Sequence, residues 1–455
     1  MLDAAAVPAM REAGVMTDRR NRTPFAYSVY RFATWVVWCL AWVGLYAART
    51  KGAEWRERLG DVPEALTGAV WVHAASVGEI GAALPLVREL AAHGQRVCVT
   101  VVTPAGVRIA RATLPEEIPV SFAPLDFVPA TRRVLRTMRP SLIILVENEL
   151  WPNLLHEARA HGVPVAMANA RMSERSLSRY RSTGSPLRDV ARLVRAAVCQ
   201  SEEDVARFVR LGFERSRVRS FGSTKFDSLA RPLSAPERAK LRRSFGFDES
   251  DRVFVFGSVR PMEEAEVARA VAACLADLDA ARAIVAPRHL KRAESVVASL
   301  ERSGVPSVRR TGFTRIQNDN AGGHEVVVLD TTGELGAVYA IADAAFVGGT
   351  LADYGGHNPL EPAAQGVPVV LGPHTETCRE SAGLLLDAEA AVMVSNGEEL
   401  AEKLLAIVQD AGLRRSMSKA AFRVMEEGRG ASARAVEWLH ELGLLPTTGR
   451  GGAAS

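Results

Sequence analysis

The chain has 455 residues, of which 48% are hydrophobic and 24% are charged. This composition is typical of globular proteins and excludes a disordered chain, a collagen and a small disulfide scaffold. At about 100–200 residues per domain, the length predicts two to four domains. The net charge of +4 is too small for this length to indicate a nucleic-acid-binding protein, so we expect no nucleic-acid partner. The five cysteines are scattered and form no CxxC pair, which argues against an obvious zinc site and favours a reducing compartment.

The first element is an uncharged run of 17 residues, FATWVVWCLAWVGLYAA at 32–48, with basic residues on both sides. About 17 residues is the lower limit for a helix that crosses a bilayer, and tryptophan and tyrosine favour the headgroup level. We therefore predict a membrane-anchor helix at 27–50, preceded by disordered residues at 1–26. A buried core helix and a cleaved signal peptide are the alternatives. A membrane span and a shallow interfacial anchor both remain open.

Short apolar runs alternate with helical patterns, such as 78–94 and 263–278, over most of the remaining chain. Near-continuous Val, Ile and Leu runs indicate strands that are covered on both faces. Strand–helix alternation indicates right-handed βαβ units and parallel sheets. The candidate strands are 69–73, 96–102, 141–146, 163–169 and 196–200, then 252–257, 282–287, 325–330, 344–349 and 367–372.

The pattern restarts near residue 250, after a charged stretch with two prolines at 228–251. We therefore predict an α/β protein with two doubly wound, Rossmann-like domains at 51–228 and 229–445, followed by a disordered tail at 446–455. Ligands of open α/β sheets bind beyond the carboxyl ends of the strands. The expected site is therefore a cleft between two facing domains.

The segment HAASVGEIG, at 73–81, follows the first predicted strand. Ser76 and Glu79 have the S-x-x-E spacing of a capping box, which opens a helix without any further function. The alternative is that Glu79 is a carboxylate at a helix mouth, available as a general base. The residues alone leave both interpretations open.

Two carboxylates, Glu147 and Glu149, follow the buried strand 141–146 in VENELWPNLL. Both acids would favour the positive end of the helix that Trp151 and Pro152 open. Charges beside the end of a buried strand are costly unless they bind something, which favours a functional role.

A glycine-rich segment, FVGGTLADYGGHNPLEPAAQG at 346–366, leads into a further helix. Asn358 as the N-cap and Pro359 in the first turn explain the helix start. Open amides at this helix mouth would suit a nucleotide phosphate. Glu361 could accept both hydroxyls of a ribose, whereas His357 could be an ordinary loop histidine.

Three smaller segments offer further polar groups after predicted strands. In FGSTKFD, Lys225 either pairs with Asp227 or reaches a phosphate or carboxylate. APRH supplies Arg288, which could pair with a phosphate. DTTGEL supplies Thr332, Gly333 and Glu334. A solvated loop charge is the alternative for each of these segments.

Together and in this order, these motifs resemble the 3-deoxy-D-manno-octulosonic acid (Kdo) transferases of lipopolysaccharide synthesis. The resemblance runs from about Lys51 to Thr375. Its segments are HAASVGE, ENELWPNL, NARMSERS, GSTKFD, APRH, TTGEL and GGHNPLEPAA with GPHT. It implies a GT-B fold of two facing Rossmann-like domains, and an inverting transfer of Kdo from CMP-Kdo to a hydroxyl of a lipid A precursor.

The resemblance also implies roles for individual residues. Glu79 matches the general base, and Glu147 and Lys225 match residues that stabilise the transition state. The residues implied to contact CMP are Pro287, Arg288, Thr332, Gly333, Glu334, Asn358, Pro359, Leu360 and Glu361. We expect no cofactor, because the donor already carries its leaving group. We expect no catalytic metal, because no Asp-x-Asp motif lies among the candidate site residues.

The implied partners are CMP-Kdo, a lipid A precursor (a tetraacyl disaccharide bisphosphate) and membrane lipid. The implied location is the inner membrane, with the catalytic domains on its cytoplasmic side. Two alternatives are another GT-B nucleotide-sugar glycosyltransferase or epimerase, and a membrane-tethered nucleotide-binding protein without catalysis.

Overall fold

The computed structural model describes residues 25–50, 52–62, 66–182, 185–187, 191–312 and 325–446. The segments predicted to be disordered, 1–26 and 446–455, lie outside these residues except for 25, 26 and 446, and residues 25 and 26 are helical. The helices of the described residues are α1 (Phe25–Arg49), α2 (Ala53–Arg58), α3 (Val77–Ala92), α4 (Pro104–Thr113), α5 (Val128–Met138), α6 (Pro152–Ala160), α7 (Glu174–Arg181), α8 (Glu202–Leu211), α9 (Ala235–Ser244), α10 (Glu264–Asp277), α11 (Ala293–Arg302), α12 (Leu335–Val338), α13 (Leu360–Ala364), α14 (Arg379–Asp387), α15 (Gly397–Gln409), α16 (Ala411–Gly428) and α17 (Ala431–Glu441).

The first sheet has seven parallel strands in the order β3-β2-β1-β4-β5-β6-β7. Its strands are β1 (Val70–Ala74), β2 (Val97–Val101), β3 (Val120–Phe122), β4 (Leu142–Val146), β5 (Val165–Ala170), β6 (Ala196–Cys199) and β7 (Val218–Ser220). All five residues of β4, LIILV, are fully buried. A strand this apolar needs cover on both faces, which the flanking helices provide.

The second sheet also has seven parallel strands, in the order β10-β11-β9-β8-β12-β13-β14. Its strands are β8 (Arg252–Val259), β9 (Ala281–Pro287), β10 (Val308–Arg309), β11 (Val326–Val328), β12 (Ala344–Val347), β13 (Val369–Leu371) and β14 (Ala391–Met393). Phe254, Phe256 and Phe346 are fully buried in the core that covers one face. The predicted α/β class with two parallel sheets is confirmed.

Each sheet has a switch point, where the order of the strands along the chain reverses. In the first sheet this point lies between β1 and β4, and in the second between β8 and β12. At a switch point the connections leave in opposite directions, so a crevice opens beyond the carboxyl ends of the two strands. The expected site therefore lies at the carboxyl ends of these four strands.

The chain forms two compact units. The first contains the described residues up to Ile80, residues 90–220 and residues 438–446; the second contains 81–89 and 221–437. The sequence-based boundaries at 228 and 445 assign 81–89, 221–228 and 438–445 to the opposite domains. The domain boundaries therefore stay a prediction.

Helix α1 confirms the predicted apolar helix ahead of the first sheet. It is long and apolar enough to cross a membrane by length and composition. Part of its surface packs on the first unit, where Tyr27 is buried and stacks on His156 with 3.5 Å between ring centroids. Trp38 packs against Phe127. Large apolar side chains elsewhere on α1 are exposed, namely Phe25, Val29, Phe32, Trp35, Val37, Leu40, Trp42 and Val43.

Candidate active site

Glu79 lies in the first turn of α3, just beyond the end of β1. Its backbone N–H donates to Ser76 Oγ at 3.3 Å, and one carboxylate oxygen accepts from Ser76 Oγ at 3.1 Å. The other oxygen accepts from the backbone N–H of Ala75 at 2.6 Å. The predicted capping arrangement is therefore present, with Ala75 rather than Ser76 as the backbone donor.

The loop that follows β4 carries Glu147 and Glu149. Glu147 is 7% exposed, and its Oε2 lies 3.1 Å from Arg171 Nε. Its φ of 57° is in the left-handed region, which costs a residue with a side chain about 1–2 kcal/mol. Backbone strain of this kind clusters at functional sites, since the surrounding structure must be built to hold it.

Three carboxylates meet at the switch point of the first sheet. Burial raises the pKa of Glu79 above its ordinary value; the negative charges of Glu149 and Glu147 act in the same direction, and hydrogen bonds from Ala75 and Ser76 oppose the shift. Burial also raises the pKa of Glu149, although the indole N–H of Trp151 donates to its carboxylate at 2.6 Å. The structure therefore brings Glu79, Glu147 and Glu149 together at this edge of the first sheet.

His73 is a buried residue of this region for which the sequence predicted no role. Its Nδ1 lies 2.9 Å from Thr100 Oγ1, and its ring packs edge-on against Trp151. Burial lowers its pKa to about 4, so the ring is neutral at pH 7. No described residue forms a hydrogen bond with its Nε2. His73 thus packs a neutral ring against Trp151, whose indole N–H donates to Glu149.

Cationic side chains gather beyond β8 and β9 in the second unit. Arg260 follows β8, and its guanidinium carbon lies 4.2 Å from the ring centroid of Tyr354. Arg260 Nη1 is 3.2 Å from His289 Nε2. Arg288 follows β9, and its side chain is exposed. The sequence suggested Arg288 as a phosphate ligand but gave no indication of a role for Arg260. Arg260 comes close to Arg288 only because β8 and β9 pair in the folded sheet.

His357 lies in the same group. Burial lowers its pKa to about 4, and the positive charges of Arg288, Arg260 and His289 act in the same direction. The ring is therefore neutral at pH 7, and the arginines carry the positive charge. Among the described residues, neither His357 Nε2 nor Arg260 Nε has a hydrogen-bond partner, although both atoms are buried. Buried polar atoms are seldom left unpaired, so two of them in one group indicate a ligand site.

Glu361 lies one residue inside α13 and is half-buried. Burial raises its pKa, and the neighbouring Arg288 opposes that shift. The helix begins at Leu360, one residue later than predicted, and Asn358 Oδ1 accepts from the Leu360 N–H at 3.1 Å. Pro359 and Leu360 are buried, and Asn358 is exposed.

The glycines before α13 have a structural explanation, and the expected open amides are wrong for three of them. The N–H of Gly348 donates to Gly257 O, that of Gly356 to Gly349 O, and that of Gly349 to a carboxylate oxygen of Glu263 at 2.7 Å. Gly348 also leaves no room for a Cβ, which would lie 2.5 Å from Ser258 O. These glycines serve close packing of the loop.

Glu263 is the residue that fixes this loop. The residue is 1% exposed, and its carboxylate accepts from the backbone N–H groups of Gly349, Leu351 and Ala352, and from that of Arg260. A buried charge of this kind is tolerated because each oxygen is hydrogen-bonded. The sequence did not single out Glu263, because three of its four partners lie almost ninety residues away.

The remaining predicted site residues all lie in the second unit. Lys225 is half-buried in a short 3₁₀-helix, Thr224–Ser228. Asp227 accepts from the N–H groups of Gly430 and Ser432 at the start of α17. Its carboxylate therefore caps a helix, which is a different role from the surface pair with Lys225 that was one alternative.

The segment after β11 holds Thr332, Gly333 and Glu334. Thr332 and Gly333 are exposed, and Gly333 has a φ of 85°. Glu334 accepts from Thr331 Oγ1 and lies 3.6 Å from Arg310 Nη2. Pro287 is the buried last residue of β9. Since β9 and β11 are adjacent and parallel, Pro287 and this segment lie at the same edge of the second sheet.

Comparison with known proteins decides the family. The family model for "3-Deoxy-D-manno-octulosonic-acid transferase (kdotransferase)" matches residues 53–228. A 3-deoxy-D-manno-octulosonic acid transferase of Bordetella pertussis is 33% identical over 422 residues, which are 88% of this chain and 96% of that protein. One of Haemophilus influenzae is 30% identical over 88% of this chain and 94% of the relative. The chain belongs to the Kdo transferase family.

As a Kdo transferase, the protein is a glycosyltransferase, and its fold is shared with other nucleotide-sugar proteins. The UDP-GlcNAc 2-epimerase of Neisseria meningitidis, bound to UDP-GlcNAc, is 15% identical with a TM-score of 0.58, and covers 82% of this chain and all of that one. Anabaena HepE in complex with UDP is 14% identical with a TM-score of 0.54, and covers 83% of this chain and all of that one. These likenesses confirm the predicted GT-B type of fold.

One group of side chains in this Kdo transferase has the spacing of metal ligands. Asp353, His374 and Glu376 bring ligand atoms within 4.8 Å of one another, and both carboxylates are exposed. Exposed acids of this kind occur often without a metal, and we assign no ion to this group.

Proposed function

We propose that the protein transfers Kdo from CMP-Kdo to a hydroxyl group of a lipid A precursor in lipopolysaccharide synthesis, with inversion at the anomeric carbon. The observation that carries this proposal is the position of Glu79 at the first switch point, with its pKa raised by burial and by two neighbouring carboxylates. A raised pKa makes a carboxylate a stronger base, as deprotonation of a sugar hydroxyl requires.

In this mechanism Glu79 takes the proton of the acceptor hydroxyl. The hydroxyl oxygen then attacks the anomeric carbon of Kdo, and the bond to CMP breaks with its electron pair on the phosphate. A single displacement of this kind inverts the configuration. Glu147 and Lys225 are proposed to stabilise the charges that develop in the transition state. Since CMP is already a good leaving group, no cofactor enters the reaction.

The donor is proposed to bind at the switch point of the second sheet. Arg260 and Arg288 offer donors to the phosphate and to the carboxylate of the sugar. The unpartnered Nε2 of the neutral His357 would be a further donor in the tautomer that carries its proton on Nε2. Glu361 would accept the ribose hydroxyls. The other proposed CMP contacts are Pro287, Thr332, Gly333, Glu334, Asn358, Pro359 and Leu360.

The lipid acceptor accounts for the exposed apolar side chains of α1. We propose that this helix lies in the interface of the inner membrane, on its cytoplasmic side. The contacts of Tyr27 and Trp38 support an interfacial position over a span, because they hold the helix against the first unit. Leu40 and Val43, both more than 70% exposed, would enter the lipid.

The test is an assay with purified full-length protein, a lipid A precursor in mixed micelles and CMP-Kdo generated in place because it is labile. We expect the mass of the acceptor to increase by one or more Kdo residues, with release of CMP. Nuclear magnetic resonance of the product should give an anomeric configuration opposite to that of the donor. CMP binding without transfer, or transfer with retained configuration, would contradict the proposal.

A further inference from the structure

Helix α1 is joined by hydrogen bonds to the segments that support the acidic loop, Glu147–Trp151. Tyr30 Oη donates to Asp126 Oδ2 at 2.9 Å. Further along α1, Thr34 Oγ1 accepts from Asn153 Nδ2 at 3.2 Å. Asp126 lies between β3 and α5, and Asn153 lies in the first turn of α6. A helix that only tethered the protein to a membrane would not need polar contacts of this kind.

Asp126 and Asn153 in turn fix the start of α6. The two carboxylate oxygens of Asp126 accept from the N–H groups of Leu154 and Asn153, at 2.8 and 3.1 Å. The side-chain amide of Asn153 donates back to Asp126 O at 2.6 Å. Since α6 begins at Pro152, these bonds anchor the residue that directly follows the acidic loop.

The acidic loop needs such an anchor. Its first residue, Glu147, has a left-handed backbone, and its Glu149 carboxylate is held by Trp151. A strained residue persists only where the surrounding structure fixes it from both sides. On one side it is fixed by β4, and on the other by α6 and therefore by Asp126.

The polar contacts also place α1 at the edge where the acids lie. Asp126 follows β3 and Asn153 follows β4, and both strands belong to one parallel sheet. Their carboxyl ends therefore share an edge, which is the edge of Glu79 and Glu147. Helix α1, which carries the exposed apolar residues, therefore contacts the same edge of the first sheet that carries Glu79 and Glu147.

We propose that Asp126 and Asn153 are positioning residues, which couple the seating of α1 on a lipid surface to the arrangement of the acidic loop. The proposal rests on the proposed function for its effect on turnover, but the coupling itself concerns only the first unit. When α1 is seated, Tyr30 and Thr34 hold Asp126 and Asn153, and the acidic loop keeps its strained form. When α1 is loose, the same loop relaxes and the acids lose their arrangement.

The test uses the full chain with the double substitution Tyr30→Phe and Thr34→Val, bound to phospholipid vesicles. Both substitutions remove a hydroxyl and keep the apolar surface of α1. We expect vesicle binding as in the wild type, faster amide hydrogen exchange in peptides covering 147–155, and a kcat lower by about tenfold or more through misplacement of the acids. The KM for CMP-Kdo should change less than kcat, because the donor is assigned to the second unit.

Thr50→Val is the matched control, since Thr50 directly follows α1 and its hydroxyl donates to Ala47 O in the last turn of that helix. It should leave exchange and turnover as in the wild type. If the double variant is not folded, Tyr30→Phe alone gives the same comparison. Exchange and kcat at wild-type values in a folded variant would overturn the proposal, and α1 would then be a tether only.

A second comparison separates this proposal from the proposed function. Vesicles should slow exchange at 147–155 in the wild type, and Leu40→Asp, which alters the exposed part of α1, should abolish that effect together with vesicle binding. If the wild type transfers no Kdo, the proposed function fails, and the exchange data still decide the coupling. If vesicles leave exchange at 147–155 unchanged in the wild type, the coupling is overturned.

Discussion

At Glu79 one side chain serves two physical purposes. Its oxygens cap α3 through Ala75 and Ser76, and burial beside other acids raises its pKa. Glu79→Gln separates the two, because Gln also serves in a capping box but takes up no proton. We expect turnover to fall about a hundredfold or more, as for the loss of a general base. Single-turnover kinetics with CMP-Kdo and acceptor measures this.

Ser76→Ala is the control for Glu79→Gln. It removes the cap and leaves the carboxylate, so stability should fall by about 1 kcal/mol while most of the turnover remains. Near-normal transfer by Glu79→Gln, together with a large loss in Ser76→Ala, would show that capping is the important role.

The pH dependence of the reaction follows from the same carboxylate. A general base acts only when it is deprotonated, so turnover is lost as pH falls through its pKa. Because the pKa of Glu79 is raised, the acid limb of kcat should lie above 4.5, the ordinary value for glutamate. Glu149→Gln removes one of the negative charges that raise it, and should move the limb to lower pH. If Glu149→Gln leaves the acid limb of kcat at the same pH, the charge of Glu149 does not affect the pKa of Glu79.

Glu361 tests the donor site. Glu361→Ala removes an acceptor proposed for the ribose hydroxyls, and such bonds to a charged group contribute about 1.5–3 kcal/mol. We expect roughly ten- to hundredfold weaker CMP binding in titration calorimetry. Glu237→Ala, which removes an exposed carboxylate that caps α9, is the control and should bind CMP normally. Equal affinity in the two variants would remove Glu361 from the site.

The sequence could identify residues that stand in a local pattern. Glu79 has its capping partner three residues away, and Glu147 directly follows an apolar strand. Arg260, Glu263 and His73 could not be found in this way, because most of their partners lie far away in the sequence, on or after other strands. The left-handed backbone of Glu147 was equally invisible, since glutamate carries no signal for positive φ.

At the level of elements, α1 is both an apolar helix and a part of the first unit. The sequence indicates a separable anchor, because the uncharged run stands ahead of the first strand. The structure adds the buried ring of Tyr27 and the bond from Tyr30 to Asp126. These contacts could not be predicted from the sequence, because a tyrosine at the end of an apolar run can face either lipid headgroups or another part of the protein.

Deleting residues up to Arg49 should therefore destabilise the protein. Burial of one large side chain contributes about 1.5–3 kcal/mol, and a hydrogen bond to a carboxylate a similar amount. We expect the melting temperature to fall by on the order of 10 °C. Leu40→Asp should leave the melting temperature unchanged and weaken vesicle flotation. Unchanged melting of the truncated chain would mean that α1 contributes nothing to the fold.

Apolar runs in the sequence predicted the central strands of both sheets but not the edge strands. All ten predicted strands are present, and the four that were missed within the described residues are β3, β7, β10 and β14. These four are the edges of the two sheets. An edge strand has one paired neighbour, and here each is two or three residues long. Each of the four also has at least one residue that is not fully buried, whereas β11 and β13, which are equally short, are buried throughout. A partly exposed strand does not produce a continuous apolar run.

For the whole molecule, the sequence correctly predicted two parallel sheets, because the strand–helix alternation restarts after a charged stretch. It could not predict which short segments group with which unit. Residues 438–446 lie with the first unit, where Trp438 meets Arg219 and Pro446 O accepts from Gln95. The packing of these C-terminal residues on the first unit depends on contacts between residues that are distant in the sequence, so no local sequence pattern predicts it.

The division into units predicts where CMP will protect the protein. If the nucleotide binds the second switch point, hydrogen exchange should slow in peptides covering 257–263, 286–290 and 346–361. Peptides covering 74–80 and 147–151 should exchange as before. Mass spectrometry of the free and CMP-bound protein measures both sets. Protection confined to the acid-bearing peptides would place the nucleotide in the first unit and contradict the assignment.

The buried carboxylate of Glu263 has a kinetic consequence. It binds the amides of Gly349, Leu351 and Ala352, so the loop after β12 has its shape without any ligand. A ligand that meets a pre-shaped loop loses little conformational entropy on binding. Because the loop need not rearrange before the ligand binds, the association rate is set by diffusion and by the orientation of the ligand. Rapid-mixing measurements should then give a single phase whose rate rises linearly with nucleotide concentration.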